Sequence, residues 1–169
     1  MLFRKRKNHQ EETYKNAYRS FFGICLRYCA TKEDAKEVFN DAMLRYFKFE
    51  SKNKVDDKGK FSLIKKIIVN QSIDRLRVKK IKFDNIEDAT DSIKSTNNDA
   101  EINMIREEML EKIQKFAPQT RIIFNLFIFE GWSHKEIADH LTITTNTSSW
   151  HVNQGKKQII ELLTKPNLV

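Results

Sequence analysis

Turn-forming residues are scarce in this chain, because its 169 residues include only four glycines and two prolines. A strand-rich fold of this length would need a turn about every 8 to 12 residues, and such turns draw heavily on glycine and proline. Long helices joined by short connections need far fewer of these residues. The scarcity therefore predicts an all-α chain.

Apolar residues in the first half recur at intervals of three and four, which is the period of an amphipathic helix. Three runs follow this period: Tyr14, Ala17, Tyr18, Phe21, Cys25 and Tyr28; Ala35, Val38, Phe39, Ala42, Met43, Tyr46 and Phe47; and Leu63, Ile64, Ile67, Ile68, Ile73 and Leu76. Thr31 and Asp34 are placed to cap the second helix. We predict three helices in this half.

Charge is spread unevenly along the chain. The net charge is +11 over residues 1–80, −5 over residues 81–110 and +2 over residues 111–169. The stretch DNIEDATDSIKSTNNDAE has too few large apolar residues to offset the cost of ordering it. We therefore predict an all-α fold of two small helical domains, residues 8–80 and 101–165, joined by a flexible acidic linker, residues 81–100.

The two cysteines, Cys25 and Cys29, lie one helical turn apart beside aromatic residues. This spacing suits neither a disulfide nor a metal site, since His134, His140 and His151 lie far along the chain. We predict buried, unreactive thiols, with a metal or redox role as the alternative. No cofactor, metal site or catalytic residue is expected.

Hydropathy gives no indication of a membrane segment. No apolar run approaches the length of a membrane span, and the basic start MLFRKRKNHQ lacks the apolar core of a signal peptide. We expect a cytoplasmic protein without membrane insertion.

The third helix has polar and charged residues between its apolar positions and ends in RLRVKK. Cations on one side of a helix neutralise phosphates and provide affinity for nucleic acid that is independent of sequence. Lys65, Lys66 and Arg77 are the candidates for such contacts. A solvated helix face is the alternative.

Start and stop signals are clearer in the second half. Pro118 marks a helix start, Gly131 is placed to end that helix, and Ser133 with Glu136 has capping-box spacing for the next one. A short turn follows, and Thr144 can cap a final helix. Two short helices around a tight turn predict a helix-turn-helix, with a plain helical hairpin as the alternative.

The final helix has two distinct sides. Since each residue turns the helix by about 100°, Ser148, Gly155 and Ile159 lie near Val152 on the buried side. The same arithmetic turns five residues outward: Asn146, Thr147, Trp150, Gln154 and Lys157. This face offers base-edge donors and acceptors, a flat apolar ring and a cation, as a major-groove reader requires. Packing of Trp150 on a neighbouring helix or on a partner is the alternative.

Segments from both halves resemble one protein family. EGWSHKEIADHLTITTNTSSWHVNQGKKQIIELL resembles the fourth region of the extracytoplasmic-function group of bacterial RNA polymerase sigma factors. TKEDAKEVFNDAMLRYFK and IKKIIVNQSIDRLRVKK resemble two consecutive helices of the second region in the same group. The resemblance runs from about residue 14 to residue 163.

The resemblance implies a sigma factor without catalytic activity, whose partners are core RNA polymerase, promoter DNA and an anti-sigma factor, and which has no small-molecule substrate. It implies core-polymerase contacts by Asp34, Glu37, Asn40 and Asp41. It implies recognition of the minus-ten element by Phe61, Lys65, Lys66, Asn70, Asp74 and Arg77. It implies recognition of the minus-thirty-five element by the outward face of the last helix together with Ser149 and His151.

The sequence departs from the family pattern at several of these positions. Thr142 replaces the usual turn glycine, and Ser149, His151 and Gln154 occupy positions where basic residues are common. A stand-alone helix-turn-helix transcriptional regulator is the alternative function, because it would use the same second half. A helical adaptor that binds only proteins would leave both predicted DNA faces without a purpose.

Overall fold

The computed structural model describes residues 2–82 and 100–164, with side chains for residues 8–77, 105–161 and 164. Every regular element in these ranges is a helix: α1 (Leu2–Tyr28), α2 (Lys32–Glu50), α3 (Asp57–Lys82), α4 (Ala100–Gln114), α5 (Pro118–Ile128), α6 (His134–Leu141) and α7 (Thr145–Thr164). The predicted all-α class is confirmed.

The chain divides into two units, a front unit, Met1–Phe83, and a back unit, Asp84–Val169. Residues 83–99 lie outside the described residues, so most of the predicted linker at 81–100 does too. Helix α3 continues to Lys82 and α4 begins at Ala100. The exact domain bounds stay a prediction.

Helices α1, α2 and α3 pack against one another to form the front unit. Phe39 of α2 is fully buried, and three rings of α1 meet it edge to face: Tyr14 and Tyr18 at centroid distances of 5.3 Å each, and Phe22 at 6.1 Å. Such pairs contribute roughly 0.5 to 1.5 kcal/mol each beyond their buried area. The aromatic positions of the first two predicted runs therefore form much of this core.

Helix α2 begins where its sequence predicts. Thr31 has an extended backbone, and its Oγ1 accepts a hydrogen bond from the Asp34 N–H at 3.2 Å. This cap satisfies one of the free donors of the first turn. This local interaction sets the residue at which α2 begins.

Both cysteines are free and buried in the front unit. Burial, and to a lesser degree the neighbouring Cys29 thiol, raises the pKa of Cys25 to about 12. A thiol with such a pKa stays protonated at neutral pH and is a poor nucleophile. The prediction of buried, unreactive thiols agrees with this environment.

In the back unit, α7 packs against α4, α5 and α6, and α5 also packs against α6. Pro118 occupies the first turn of α5, as predicted. Arg121 is only 6% exposed, and its guanidinium donates hydrogen bonds to the carbonyl oxygens of Gln114 and Phe116 at the end of α4. A cation at the C-terminal end of a helix is favourable, so Arg121 fixes α4 to α5.

The chain leaves α5 through a turn that contains Gly131. Helix α5 ends at Ile128, and Gly131 has a φ of 75°, which favours glycine. The Trp132 N–H then donates to the Leu126 carbonyl at 3.0 Å. This turn connects α5 to α6.

Within the described ranges, no helix combines the length and the apolar character that a bilayer crossing needs.

Candidate nucleic-acid interface

Helices α6 and α7 form the predicted helix-turn-helix. Ser133 and Glu136 make a complete capping box, in which the Glu136 N–H donates to Ser133 Oγ and the Ser133 N–H donates to Glu136 Oε2. These bonds with Ser133 lower the pKa of the Glu136 carboxyl. Thr144 caps α7 by accepting from the Thr147 N–H at 3.1 Å. Both predicted helix starts are confirmed.

The turn between these helices contains a strained residue. Thr142 follows α6 with φ 57° and ψ 51°, the left-handed conformation, and its N–H donates to the Ala138 carbonyl. A β-branched side chain is unfavourable there, whereas glycine adopts this conformation freely. Thr142 therefore holds a backbone conformation that normally favours glycine.

Replacement of Thr142 by glycine should stabilise the back unit by about 1 kcal/mol, because relief of the strain exceeds the entropy that glycine gains on unfolding. The measurement is thermal unfolding followed by tryptophan fluorescence, since both tryptophans, Trp132 and Trp150, lie in this unit. Thr142→Ala is the control, since alanine keeps the Cβ atom and should gain little. Equal stabilisation by both changes would contradict the assignment of strain.

The inner side of α7 is packed as predicted. Ser148 is fully buried, Val152 is 2% exposed and Ile159 is 8% exposed. Gly155 is also buried, and its backbone lies so close to α5 that an added Cβ would come within 2.3 Å of the Phe124 ring. Helix α7 is thus held directly against α5.

His134 joins the two helices of the motif. Its Nδ1 lies 3.0 Å from Ser148 Oγ on α7, and its ring stacks on Phe127 of α5 with the centroids 4.4 Å apart. Lys156 of α7 places its ammonium 5.7 Å from the centroid of the same Phe127 ring. These contacts fix the angle at which α7 leaves the turn.

The outward side of α7 remains accessible in the back unit. Trp150 is 57% exposed, Asn146 and Lys157 are exposed, and Thr147 and Gln154 are half-buried. In the described part of the chain, Trp150 makes a ring contact with its neighbour His151, whose centroid is 4.8 Å away. The indole therefore does not pack into the core of the unit, and packing on a partner stays the alternative for this residue.

Ser149 and His151 lie on the flanks of this face. His151 Nδ1 is 2.8 Å from Thr120 Oγ1 of α5, and both Ser149 and His151 are half-buried. One ring nitrogen of His151 is thus occupied within the protein. DNA contact by either residue stays a prediction.

One exposed polar residue of this surface was missed. Asn153 is exposed, and the rotation of about 100° per residue places it on the side of Asn146 and Lys157. The helical period alone predicts this direction for Asn153, although the residue lies at the edge of the outward face.

The candidate residues of α3 fall into two groups. Lys66, Asn70, Asp74 and Arg77 follow one another at helical spacing along one stripe, with Asn70 half-buried and the others exposed. Lys65 points about 100° away from Lys66 and is half-buried. The predicted set therefore does not share one face.

Phe61, at the start of the same helix, is half-buried. Its ring centroid lies 6.3 Å from that of Phe21 on α1, and the Lys60 ammonium is 5.4 Å from the Phe61 ring centroid. Part of this ring is therefore occupied by packing, and only the remainder is accessible to a ligand.

The acidic residues at the start of α2 are tied to α3. Arg75 Nη2 lies 3.1 Å from Asp34 Oδ1 and 2.5 Å from Glu37 Oε2. Hydrogen bonding to Asp34 is the main cause that raises the pKa of Arg75. The side chain of Asp34 is 14% exposed, whereas that of Glu37 is 63% exposed. Arg75 was not predicted as part of the site, since only tertiary packing brings it to α2.

The other two residues of the predicted core-polymerase set differ in their surroundings. Asn40 is exposed and accepts a hydrogen bond from the Tyr14 hydroxyl at 2.7 Å. Asp41 is exposed, and within the described residues it forms no ion pair. Leu44, one turn further, is 66% exposed, which is unusual for an apolar side chain on a packed helix.

Comparison with known families agrees with the geometry of the back unit. Residues 106–159 match the family model described as sigma-70, region 4. Residues 106–159 are thus similar to a sigma-70 region 4 domain, and we call them the region 4 domain. This region is a non-enzymatic DNA-binding module of sigma factors, and the match is typical of the extracytoplasmic-function group that the sequence resembles. No curated protein matches the chain.

The region 4 domain includes α5, α6 and most of α4 and α7, so the candidate face on α7 lies within it. A sigma-factor or DNA-binding role follows for this part of the chain. The roles of individual residues, and those of the front unit, are proposals.

Proposed function

We propose that the chain is a cytoplasmic sigma factor that binds core RNA polymerase and directs promoter-specific transcription initiation. The observation that carries the proposal is a region 4 helix-turn-helix with an exposed polar face, joined in one chain to a separate three-helix unit. The resemblance of that front unit to the second region of the same family supports the proposal. Core polymerase and promoter DNA are the proposed partners, and an anti-sigma factor stays a prediction.

The proposed polymerase-binding surface is the exposed side of α2. Glu37, Asn40 and Asp41 supply charge and hydrogen-bonding groups, and Leu44 adds an exposed apolar centre beside them. Exposed apolar residues rimmed by polar ones are typical of protein interfaces. Asp34 is mostly buried and held by Arg75, so it positions the first turn of α2 more than it contacts a partner.

The proposed DNA contacts divide between two helices. Lys66 and Arg77 on α3 would neutralise phosphates near the minus-ten element, and Asn70 between them would contact a base edge. Helix α7 of the region 4 domain would enter the major groove at the minus-thirty-five element. Helix-turn-helix proteins dock in this way, with the N-terminal part of the second helix nearest the bases.

Run-off transcription with core RNA polymerase on a library of genomic templates tests this function. We expect specific transcripts only when the chain is added, and co-purification of the chain with core polymerase. DNA binding without any association with core polymerase would instead support the stand-alone regulator. Absence of both DNA and polymerase binding would reject the proposal.

Lys157→Ala should weaken DNA binding almost equally for every sequence, since a lysine on the outward side of α7 is suited to a phosphate contact. Loss of one phosphate contact lowers the slope of log affinity against log salt by about one. Affinity measured over a salt series on two different duplexes checks this result. A large change in sequence preference would instead assign Lys157 to a base contact.

A further inference from the structure

The outward face of α7 has an unusual set of hydrogen-bonding groups. Three amide side chains, Asn146, Asn153 and Gln154, surround the exposed Trp150. In the described part of the chain, none of the three amides has a hydrogen-bond partner. No arginine occurs in Thr145–Thr164. The free groups of this surface are therefore amides and an indole, with Lys157 at its far end.

The chemistry of these groups favours particular bases. An asparagine or glutamine amide matches adenine in the major groove, because its N–H donates to adenine N7 while its carbonyl oxygen accepts from the adenine N6 amino group. Guanine presents two acceptors there, N7 and O6, and is read best by arginine or lysine. A face with three amides and no arginine is suited to adenine.

Trp150 adds an apolar contact. Its indole is 57% exposed, and its faces can pack on the methyl group that only thymine carries in the major groove. The His151 ring meets the indole edge to face, and His151 is itself hydrogen-bonded to Thr120 of α5. These contacts restrict the orientation of the indole. His151 is thus placed to position Trp150.

The length of the face limits the element that it can read. Asn146 and Lys157 are 11 positions apart, which corresponds to about 16 Å along the helix axis. At about 3.4 Å per base pair this length spans about five base pairs. The N-terminal part, with Asn146 and Trp150, is nearest the bases in a docked helix-turn-helix.

We propose that α7 reads an upstream duplex element rich in A·T base pairs, in which Asn146, Asn153 and Gln154 contact adenines and Trp150 contacts a thymine methyl group. This inference rests on the proposed function, since it requires the region 4 domain to bind duplex DNA. Beyond the proposed function, the inference names the base composition of the bound element and includes Asn153 among the residues of α7 that contact bases.

Selection from a randomised duplex library tests the proposal, with the full-length chain both alone and assembled with core RNA polymerase. We expect enrichment of a segment of about five base pairs in which A·T pairs dominate. Single replacements of adenine by guanine in that segment should lower affinity by about 5- to 150-fold, the range for a good bidentate contact.

A second arm replaces one thymine at a time by uracil, which removes only the methyl group and needs no change in the protein. Loss of a buried methyl contact corresponds to about a fourfold loss of affinity at one position. Trp150→Ala, checked for folding by circular dichroism, should abolish that difference. A difference that persists in the folded variant would reject the role of Trp150.

A third arm replaces one of the amides that are proposed to contact adenine. Gln154→Arg should move the preference at one position from adenine to guanine, whereas Asn8→Arg, the same type of change on an exposed residue of α1, should leave the preference unchanged. Specific enrichment of G·C-rich elements by the parent would overturn this inference and leave the sigma-factor proposal intact. Absence of sequence-specific binding, alone and with core polymerase, would overturn both.

Discussion

Reversal of two exposed carboxylates on α2, Glu37→Lys with Asp41→Lys, should lower the affinity of the chain for core RNA polymerase by about 100-fold or more. The two residues are four positions apart, one helical turn, and both are exposed. Like charges placed across an interface cost several kcal/mol, and 1.4 kcal/mol corresponds to a factor of ten. Affinity measured with purified core polymerase gives the result.

The ion pair of Glu37 with Arg75 requires a control for folding. Glu37→Lys removes this pair and adds repulsion within the front unit, so each protein is compared by circular dichroism and thermal unfolding. Asp41→Lys alone leaves Arg75 paired and should still weaken binding. The matched control is the double change Glu12→Lys with Glu108→Lys, which changes the net charge by the same amount at two other exposed helical positions.

The matched control should bind core polymerase like the parent. Equal binding by the parent and a folded Glu37→Lys, Asp41→Lys protein would show that this side of α2 does not contact core polymerase. Equal loss in the control would instead indicate a general charge effect. DNA binding by the region 4 domain should survive in all of these variants.

Replacement of Gly155 by alanine should destabilise the back unit by about 1 to 3 kcal/mol, the usual cost of an overpacked core. Alanine normally stabilises a helix relative to glycine by up to about 1 kcal/mol, so the expected sign is opposite to that of helix propensity. The reason is the Phe124 ring, whose Cδ2 atom would lie 2.3 Å from the new Cβ. This ring is 4% exposed and packs edge to face on Phe116, so it has little room to move.

Gly23 of α1 supplies the matched control. It lies in a helix interior and is exposed, and no atom lies within 4 Å of an added Cβ. Gly23→Ala should therefore stabilise the front unit by roughly 0.5 to 1 kcal/mol. Tryptophan fluorescence follows the back unit during thermal unfolding, and amide hydrogen exchange in α1 follows the front unit.

For a unit of this size, 1 kcal/mol shifts the midpoint of thermal unfolding by about 4 to 8 °C. We expect a clear decrease for Gly155→Ala in the back-unit transition. A stabilised Gly155→Ala protein would mean that α7 can move away from α5 at low cost. The packing that orients the outward face of α7 would then be looser than the contact between Gly155 and Phe124 implies.

Local features of the fold were predictable from sequence because they depend on neighbouring residues. The Ser133 and Glu136 capping box, the Thr31 and Thr144 caps and the proline at the start of α5 each involve positions within one turn. The inner stripe of α7 followed from helical period alone. The same period also places Asn153 on the outward side.

The candidate site was less predictable where partners are distant in sequence. Lys65 and Phe61 were grouped with the DNA-facing residues of α3, yet Lys65 points to another side and Phe61 packs partly on Phe21. His151 was predicted to contact DNA together with the outward face of α7, and the structure shows that its Nδ1 faces Thr120 on α5. A linear pattern defines the direction of a side chain around its own helix, but not which neighbouring helix occupies that direction.

By itself, the sequence determined the helical class, the helix starts, the helix-turn-helix and the two sides of α7, since hydrophobic period and capping are local properties. Only tertiary structure decided that Arg75 binds Asp34 and Glu37, that Gly155 lies against Phe124, and that Thr142 adopts the left-handed turn of a glycine. The physical reason is that burial, close approach and backbone strain depend on how helices pack, and packing joins residues that the sequence keeps far apart.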